Sequence, residues 1–355
     1  MTKRSRIFPL LGALFLVPSL LAAVTVVGKL DLKPVSVRVG RLYPETDQSI
    51  RIVVRDERPP DPFVVSGVGD AGFGRRVLQA FYTESPQTVA TVFEAAAAES
   101  IEILGMKPGE GVVLEISIQQ FRVEMASPSF GLPNFISYGR IQTALKSPDG
   151  GDLSSGSFPV ATWETASKGG EAVAAAHAKA VWEAAARTLL GHFPKKPEPE
   201  AIQRVLASLD TNKDERQRDY AVFWLGLVGR ETPAVAEKLF ALFRKEENQS
   251  VSQSAAIALA MLGAPGAREQ FEAVLSGASK LSEWDPRDDS EQAWHLLHAL
   301  ALLGSTDLGE KVPPTKRLHE KLTDLVRFQE TGEIPRMAQK DLDELTRKLE
   351  KKRKK

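Results

Sequence analysis

Leu225-Gly226-Leu227-Val228-Gly229 closes a strongly helical stretch, and two similar endings follow it along the chain. They are Leu259-Ala-Met-Leu-Gly263 and Leu300-Ala-Leu-Leu-Gly304, so that successive final glycines are 34 and 41 residues apart. Leucines of this kind fill a shared core, and the glycine ends each helix before a turn. Because one such unit cannot bury its apolar side alone, neighbouring units must stack. We therefore predict a stacked helical array from residue 201 onward.

Second helices are predicted between these endings, at 234–243 and 266–275. Ala221 and Ala255 both lie eight residues before a final glycine, where a small side chain lets helices approach closely. The pattern resembles HEAT-like repeats over residues 201–310, with two and a half to three units. This resemblance implies a short all-α solenoid.

Aromatic and histidine side chains on the predicted repeat helices allow two interpretations. They either fill the core or line a groove that binds a protein partner. The candidate partner-binding residues are Tyr220, Trp224, Trp294 and His298.

Residues 35–193 alternate strand and helix signals, which predicts an α+β fold with two helices packed on an antiparallel sheet. The predicted strands are 49–56, 111–125, 138–146 and 156–165, and the predicted helices are 86–105 and 170–190. A change of apolar parity at Gln119-Gln120 predicts a β-bulge. Ser147-Pro-Asp-Gly-Gly151 has the composition of a hairpin turn.

Several short motifs of this region resemble the YajG-like and ABC-transport-auxiliary lipoproteins of the Gram-negative envelope. The motifs are Val54-Arg-Asp-Glu-Arg-Pro59, a helix closing at Gly105, Leu114-x-Ile-x-Ile-x-x-Phe121, the Asp149-Gly150 hairpin and the alanine-rich helix after it. The resemblance implies an envelope accessory protein. Those families carry a lipid on a cysteine, whereas Val24 stands at that position here and the chain contains no cysteine.

The first 28 residues indicate export from the cytosol. Residues 7–28 carry no charge and follow Lys3, Arg4 and Arg6, as in a signal peptide. The run is also long enough for a membrane anchor, since a spanning helix needs about 20 apolar residues. A cleaved signal is favoured over a retained anchor that contacts the membrane through residues 7–28. We expect the protein in the periplasm or envelope of a bacterium.

The remaining segments are a linker and a charged tail. Residues 194–200 are rich in proline and charge, which predicts an extended linker. Residues 311–355 are predicted to be helical with a basic end. This end either is a solvated helix terminus or contacts anionic lipid. The candidate contact residues are Arg347, Lys348, Lys351, Lys352 and Arg353.

Other motifs favour structural interpretations, and no cofactor or metal is expected. Gly67-x-Gly-x-x-Gly72 lacks the strand and helix of a dinucleotide site, so we expect a flexible loop. Asp210-Thr-Asn-Lys-Asp214 lacks the glycine and glutamate of a calcium loop and predicts a helix cap. His295 and His298 could share a helix face but lack a third ligand at a fixed spacing. The body between the basic ends is acidic, which argues against nucleic acid as a partner.

Together these observations predict a non-catalytic envelope protein that binds protein partners through its helical repeats. An accessory subunit of envelope lipid or solute transport, with a lipid-contacting α+β domain, is the alternative. An enzyme of unknown type is the least favoured interpretation, because no catalytic constellation is present in the sequence.

Overall fold

The α+β class is confirmed, and the chain combines two β-sheets with eight α-helices among the residues that the structure describes. The computed structural model describes residues 26–29, 32–58, 63–71, 75–82, 86–126, 134–165, 169–276, 278–279, 281, 290–304, 347 and 351. The predicted export run and the predicted tail helices lie almost entirely outside these residues. Within them, no helix is both long and apolar enough to cross a membrane.

The larger sheet has five strands in the order β5-β2-β6-β7-β8. The strands are β2 Ser49–Asp56, β5 Lys107–Pro108, β6 Val112–Ala126, β7 Asn134–Lys146 and β8 Asp152–Thr165. The pairs β6–β7 and β7–β8 are antiparallel as expected, but β2 is parallel to both β5 and β6. The sheet is therefore mixed, because the chain crosses over through a helix between β2 and β6 and returns in the same direction.

Local signals within this sheet are confirmed. The register of β6 against β7 shifts between Ile118 and Gln120, where the parity change predicted a bulge. Ser147 and Gly151 close the β7–β8 turn, and Gly150 adopts a φ of +91° within it.

A second sheet has three strands in the order β1-β4-β3. They are β1 Val26–Lys29, β3 Phe63–Ala71 and β4 Arg75–Tyr82. The flexible loop expected at residues 66–74 is therefore wrong for residues 66–71, which pair with β4. The glycines at 67 and 69 belong to an antiparallel hairpin instead of a phosphate-binding turn.

Helices α1 (Pro86–Ile103) and α2 (Gly169–His192) cover one face of the larger sheet. Their predicted apolar stripes are buried: Val89, Val92, Phe93, Ala96 and Ile101 on α1, and Val173, His177, Val181 and Leu189 on α2. After α1 the chain turns at Gly105, with a φ of +68°. A Cβ there would lie 2.4 Å from the Pro44 carbonyl oxygen, so only glycine fits.

Six further helices form the array. They are α3 Pro199–Thr211, α4 Glu215–Val228, α5 Pro233–Lys245, α6 Gln249–Leu262, α7 Ala267–Ser276 and α8 Ser290–Leu302. Short connections make successive helices antiparallel, so α4 and α6 are parallel neighbours. The α8 end lies near the start of α7, where the Arg268 guanidinium donates to the Leu303 carbonyl oxygen, so α8 runs parallel to α6.

The predicted linker does not separate the array from the α+β unit. Helix α3 begins at Pro199, inside the predicted linker, and the Glu198 amide donates to the Leu42 carbonyl oxygen at 2.8 Å. The Lys195 ammonium donates to the Thr46 hydroxyl at 3.1 Å. Helix α2 also packs on α4 with the side opposite the sheet, so the two units share one buried helix.

Gly226→Ala tests the close approach of α4 and α6. A Cβ at Gly226 would lie 2.7 Å from both the Cα and Cβ of Ala258, so the helices must separate. We expect a loss of about 1–3 kcal/mol in the free energy of unfolding, measured by urea denaturation.

Gly191→Ala is the matched control, because Gly191 is an exposed helical glycine with nothing within 4 Å of an added Cβ. This variant should be neutral or up to about 1 kcal/mol more stable. Equal stability changes in the two variants would contradict the close packing of α4 on α6.

Candidate docking surface

An aromatic cluster joins the array to the α+β unit. The Trp182 ring of α2 lies 5.4 Å from Tyr220, 6.2 Å from Phe223 and 6.1 Å from Trp224, measured between ring centroids. Trp182 and Trp224 are fully buried, and Tyr220 is 6% exposed. Tyr220 and Trp224 therefore meet α2 of their own chain, which corrects the expectation that they line an open partner groove.

A partly buried ion pair connects three helices beside this cluster. The Lys179 ammonium of α2 lies 2.7 Å from Asp219 Oδ2 on α4 and donates to the Ser254 hydroxyl on α6 at 3.2 Å. Ser254 in turn donates to the Asp219 carboxylate. The ammonium also lies 5.8 Å from the Phe223 ring centroid, a cation–π distance.

Serine and lysine at this distance can form a nucleophile and base in hydrolases. Here the Ser254 hydroxyl donates to the Asp219 carboxylate and accepts from Lys179, so its proton is directed at Asp219 and not at the lysine nitrogen. The arrangement fixes the relative position of α2, α4 and α6 instead of activating Ser254.

An apolar row runs across the neighbouring face of the array. It occupies the third position of each repeated ending: Leu227 on α4, Met261 on α6 and Leu302 on α8. Leu227 and Met261 are partly buried, and Leu302 is 48% exposed. The leucine at the first position of each ending is fully buried instead. Since the three helices are parallel neighbours, the third positions form one continuous row.

One helical turn earlier, a second row is formed by Phe223, Ile257 and His298. Phe223 is 7% exposed because α2 covers it, whereas Ile257 and His298 are partly exposed. The two rows are thus closed at α4 and open toward α8. His298, a predicted partner-binding residue, lies on this open side. Trp294 lies one turn before it on α8, and the structure does not describe its side chain.

The outer helices of the array differ sharply from this face. Their exposed large side chains are polar or charged, including Gln203 and Arg204 on α3, Glu237 and Arg244 on α5, and Glu269 on α7. Phe240 on α5 is partly buried, as Leu227 and Met261 are, and the Arg244 guanidinium lies over its ring. Among the described residues of the array, Leu302 on α8 is the one large apolar side chain that is exposed. We call Leu227, Ile257, Met261, His298 and Leu302 the apolar face.

The basic residues predicted to contact anionic lipid lie at the end of the chain, where few residues are described. Arg347 and Lys351 are helical and exposed. Lys348, Lys352 and Arg353 lie outside the described residues.

The histidines have structural environments. His177 is buried with its ring centroid 4.1 Å from that of Phe121, and burial, with the charge of Arg58, lowers its pKa to about 3. His295 is 9% exposed, and desolvation lowers the pKa of His298 to about 4. The described residues contain no group of three or more histidine and acidic side chains placed to hold a metal ion. Asp214 caps α4 by accepting from the Arg216 and Gln217 amides, which confirms the predicted helix cap.

Sequence reasoning missed the third position of the repeated endings. The signal was present, because leucine or methionine stands there in all three copies. Only the burial pattern distinguishes it from the first position. Nothing in the local sequence around Lys179 indicated that its partners lie 40 and 75 residues away.

Lys179→Met tests the ion pair across the three helices. The variant leaves the Asp219 carboxylate, 13% exposed, without its cation, and we expect a loss of about 1–3 kcal/mol in the free energy of unfolding. Adding Asp219→Asn should restore part of this loss, as a double-mutant cycle would measure.

Lys196→Met provides the control, since its pair with Glu231 is 81% and 65% exposed. Removing that exposed pair should cost less than about 1 kcal/mol. If Lys179→Met cost no more than Lys196→Met, the ion pair would not hold the helices together.

No family model matches the sequence, and no curated protein matches it. Among solved structures, the chain is similar to the crystal structure of protein XCC0632 from Xanthomonas campestris, assigned to the family model DUF330. The sequence identity is 15% and the TM-score is 0.30, and the match covers 51% of this chain and 98% of that one.

Proposed function

We propose that the chain is a non-catalytic protein-binding scaffold of the bacterial envelope, and that the apolar face is where the partner docks. The observation that carries this proposal is the repeated third position. Three copies of one motif place an apolar side chain on the same side of the array; Leu227 and Met261 are partly buried there, and Leu302 is 48% exposed. Exposed apolar surface of this kind is typical of protein interaction sites.

The way α2 packs on α4 supports this use of the face. The chain's own helix α2 covers Phe223, at the α4 end of the second row, through the Trp182 ring and the Lys179 ammonium. The same rows continue onto α6 and α8, where the coverage falls and Leu302 becomes half exposed. A helix or loop of a partner protein with an apolar side would extend the contact that α2 begins.

The envelope location rests on the leader alone. Lys3, Arg4 and Arg6 followed by the uncharged run at 7–28 are what an export signal requires. The absence of cysteine leaves a soluble periplasmic protein or an uncleaved helical anchor as the two forms.

The alternative of a lipid-contacting α+β domain has less support from the described surface. The sheet face opposite α1 and α2 exposes Arg51, Arg55, Gln142, Ser155 and Ser157. Charged and hydroxyl side chains of this kind do not favour contact with acyl chains.

A photo-reactive amino acid at position 302 tests the docking surface in the native envelope. We expect a specific protein to be cross-linked from position 302 but not from position 153. Leu153 is the matched control, because it is 38% exposed but lies at the start of β8, beside the turn from β7, and not on a helix of the array.

The captured protein is then purified and its affinity measured directly. Leu302→Asp should weaken its binding about tenfold or more, while Leu153→Asp should leave it unchanged. Equal cross-linking from both positions, or unchanged affinity of Leu302→Asp, would show that the apolar face is not the docking surface.

Fractionation with N-terminal sequencing tests the location. We expect the native protein in the periplasmic or membrane fraction, either beginning after residue 23 or retaining residues 1–28. A protein found only in the cytosol with residues 1–28 intact would refute the envelope proposal.

A further inference from the structure

Residues 32–43 run in an extended path between the α+β unit and the array, and we call them the strap. Their apolar side chains are buried on both sides of this path: Leu32, Val37, Val39, Leu42 and Tyr43. The strap is not part of either sheet, so its backbone groups need partners from the helices around it.

Both units supply those partners. The Leu42 amide donates to the Ile103 carbonyl oxygen at the end of α1, at 2.8 Å. On the array side, Gln217 of α4 binds the strap twice. Its Oε1 accepts from the Arg38 amide at 2.7 Å, and its Nε2 donates to the Ser36 carbonyl oxygen at 2.8 Å. The Arg204 guanidinium of α3 donates to the Arg41 carbonyl oxygen at 3.0 Å.

Glu99 of α1 holds the strap between these contacts. Its Oε1 accepts from the Val37 amide at 2.5 Å, one residue from the amide that Gln217 binds. Its Oε2 is buried and accepts no hydrogen bond from the described residues. A buried carboxylate oxygen without a donor is costly when it carries charge and much less so when the acid is neutral.

We propose that the protonation state of Glu99 controls how stably the strap joins α1 to α4. The strap fastens α1 to α4 while Glu99 is protonated, and it opens more readily once the carboxyl group ionises.

The electrostatics of the site support this geometry. Burial raises the pKa of Glu99 to about 7, and the charge of Glu102 adds to the rise. The Val37 amide, which donates to Oε1, offsets part of this rise, and so do the Ser36 hydroxyl and the Trp182 indole, which lie near the carboxyl group but make no hydrogen bond to Oε2. The Glu99 carboxyl group would therefore change its protonation state near neutral pH, unlike an ordinary surface glutamate.

The charged groups on the surrounding elements are mostly engaged with each other. Lys179 pairs with Asp219, Arg216 with Glu171, and Arg218 with Glu246. Glu183 pairs with Arg187 on α2. The others are Glu94 and Glu102 on α1, Lys33 and Arg38 in the strap, and Glu215 on α4, and Lys33 is also engaged in an interaction. None of the described cations contributes to the pKa of Glu99, which leaves the carboxylate without a neutralising partner.

The sign of the pH effect follows from linkage. The closed strap holds Glu99 at a pKa of about 7, whereas an opened strap returns the pKa toward its ordinary value of 4.5. The closed form therefore binds the proton more tightly, and it loses this advantage as pH rises from below 4.5 through about 7. Since one pKa unit is a tenfold change in equilibrium, opening should increase roughly 10- to 100-fold between pH 5 and pH 8.

Amide hydrogen exchange of the full chain tests whether Glu99 makes the opening of the strap depend on pH. The opening constant of the Val37 and Arg38 amides, corrected for the intrinsic exchange rate, should rise by that factor between pH 5 and pH 8. In Glu99→Gln, which keeps the acceptor oxygen but cannot ionise, the opening constant should be nearly independent of pH. Glu94→Gln, an exposed carboxyl change on the same helix, should behave as the unmodified protein.

A carboxyl carbon NMR titration of the unmodified protein gives a second readout that does not depend on any variant folding. It should show one glutamate titrating near pH 7 that disappears in Glu99→Gln. An opening constant that changes less than about threefold in the unmodified protein, or the same pH dependence in Glu99→Gln, would overturn the proposal.

Discussion

The structure depends on one helix that is buried on two opposite sides. Helix α2 packs on β7, β8 and α1 with one side and meets α4 with the other. An ordinary surface helix has one apolar stripe, whereas this one is lined with small residues all round. Its buried alanines are Ala174, Ala178, Ala180, Ala184, Ala185 and Ala186. Small side chains let the sheet come close, and the largest side chain of the helix, Trp182, fills the wider gap toward α4.

Two polar contacts fix how α2 sits between its neighbours. On the sheet side, the Thr188 and Thr143 hydroxyls lie 2.7 Å apart in a buried hydrogen bond. On the array side, Lys179 reaches Asp219 and Ser254. Apolar packing alone is not directional, so these paired polar groups give α2 one orientation relative to both units. The strap then adds a second connection between the same two units, and through Glu99 that connection responds to protons.

Much of the fold could be predicted from the sequence because the deciding signals are local. The bounds of β2, the bulge after Ile118, the turn at Gly150 and the helix end at Gly105 each follow from residues within one turn or strand. The parallel pairing of β2 with β6 and the second sheet could not, because they depend on contacts far apart in sequence. Tyr220 and Trp224 show the same limit. Residues 220–226 of α4 are all buried, so helical periodicity cannot say which neighbour each side chain meets.

Packing within the array constrains some positions of the repeated ending and not others. Its first position must be apolar because it fills the core in every copy. Its final glycine is needed for a turn or, at Gly229, because an added Cβ would lie only 2.6 Å from the Val235 side chain. The third position has no such need at Leu302, where half of the side chain meets water. The outer helices show that exposed positions in this array accept glutamate, glutamine and arginine. Leu227 and Met261 also pack against the core, so of the three copies only Leu302 exposes apolar surface that the array does not need for its own packing, and this is the surface that the proposed partner would cover.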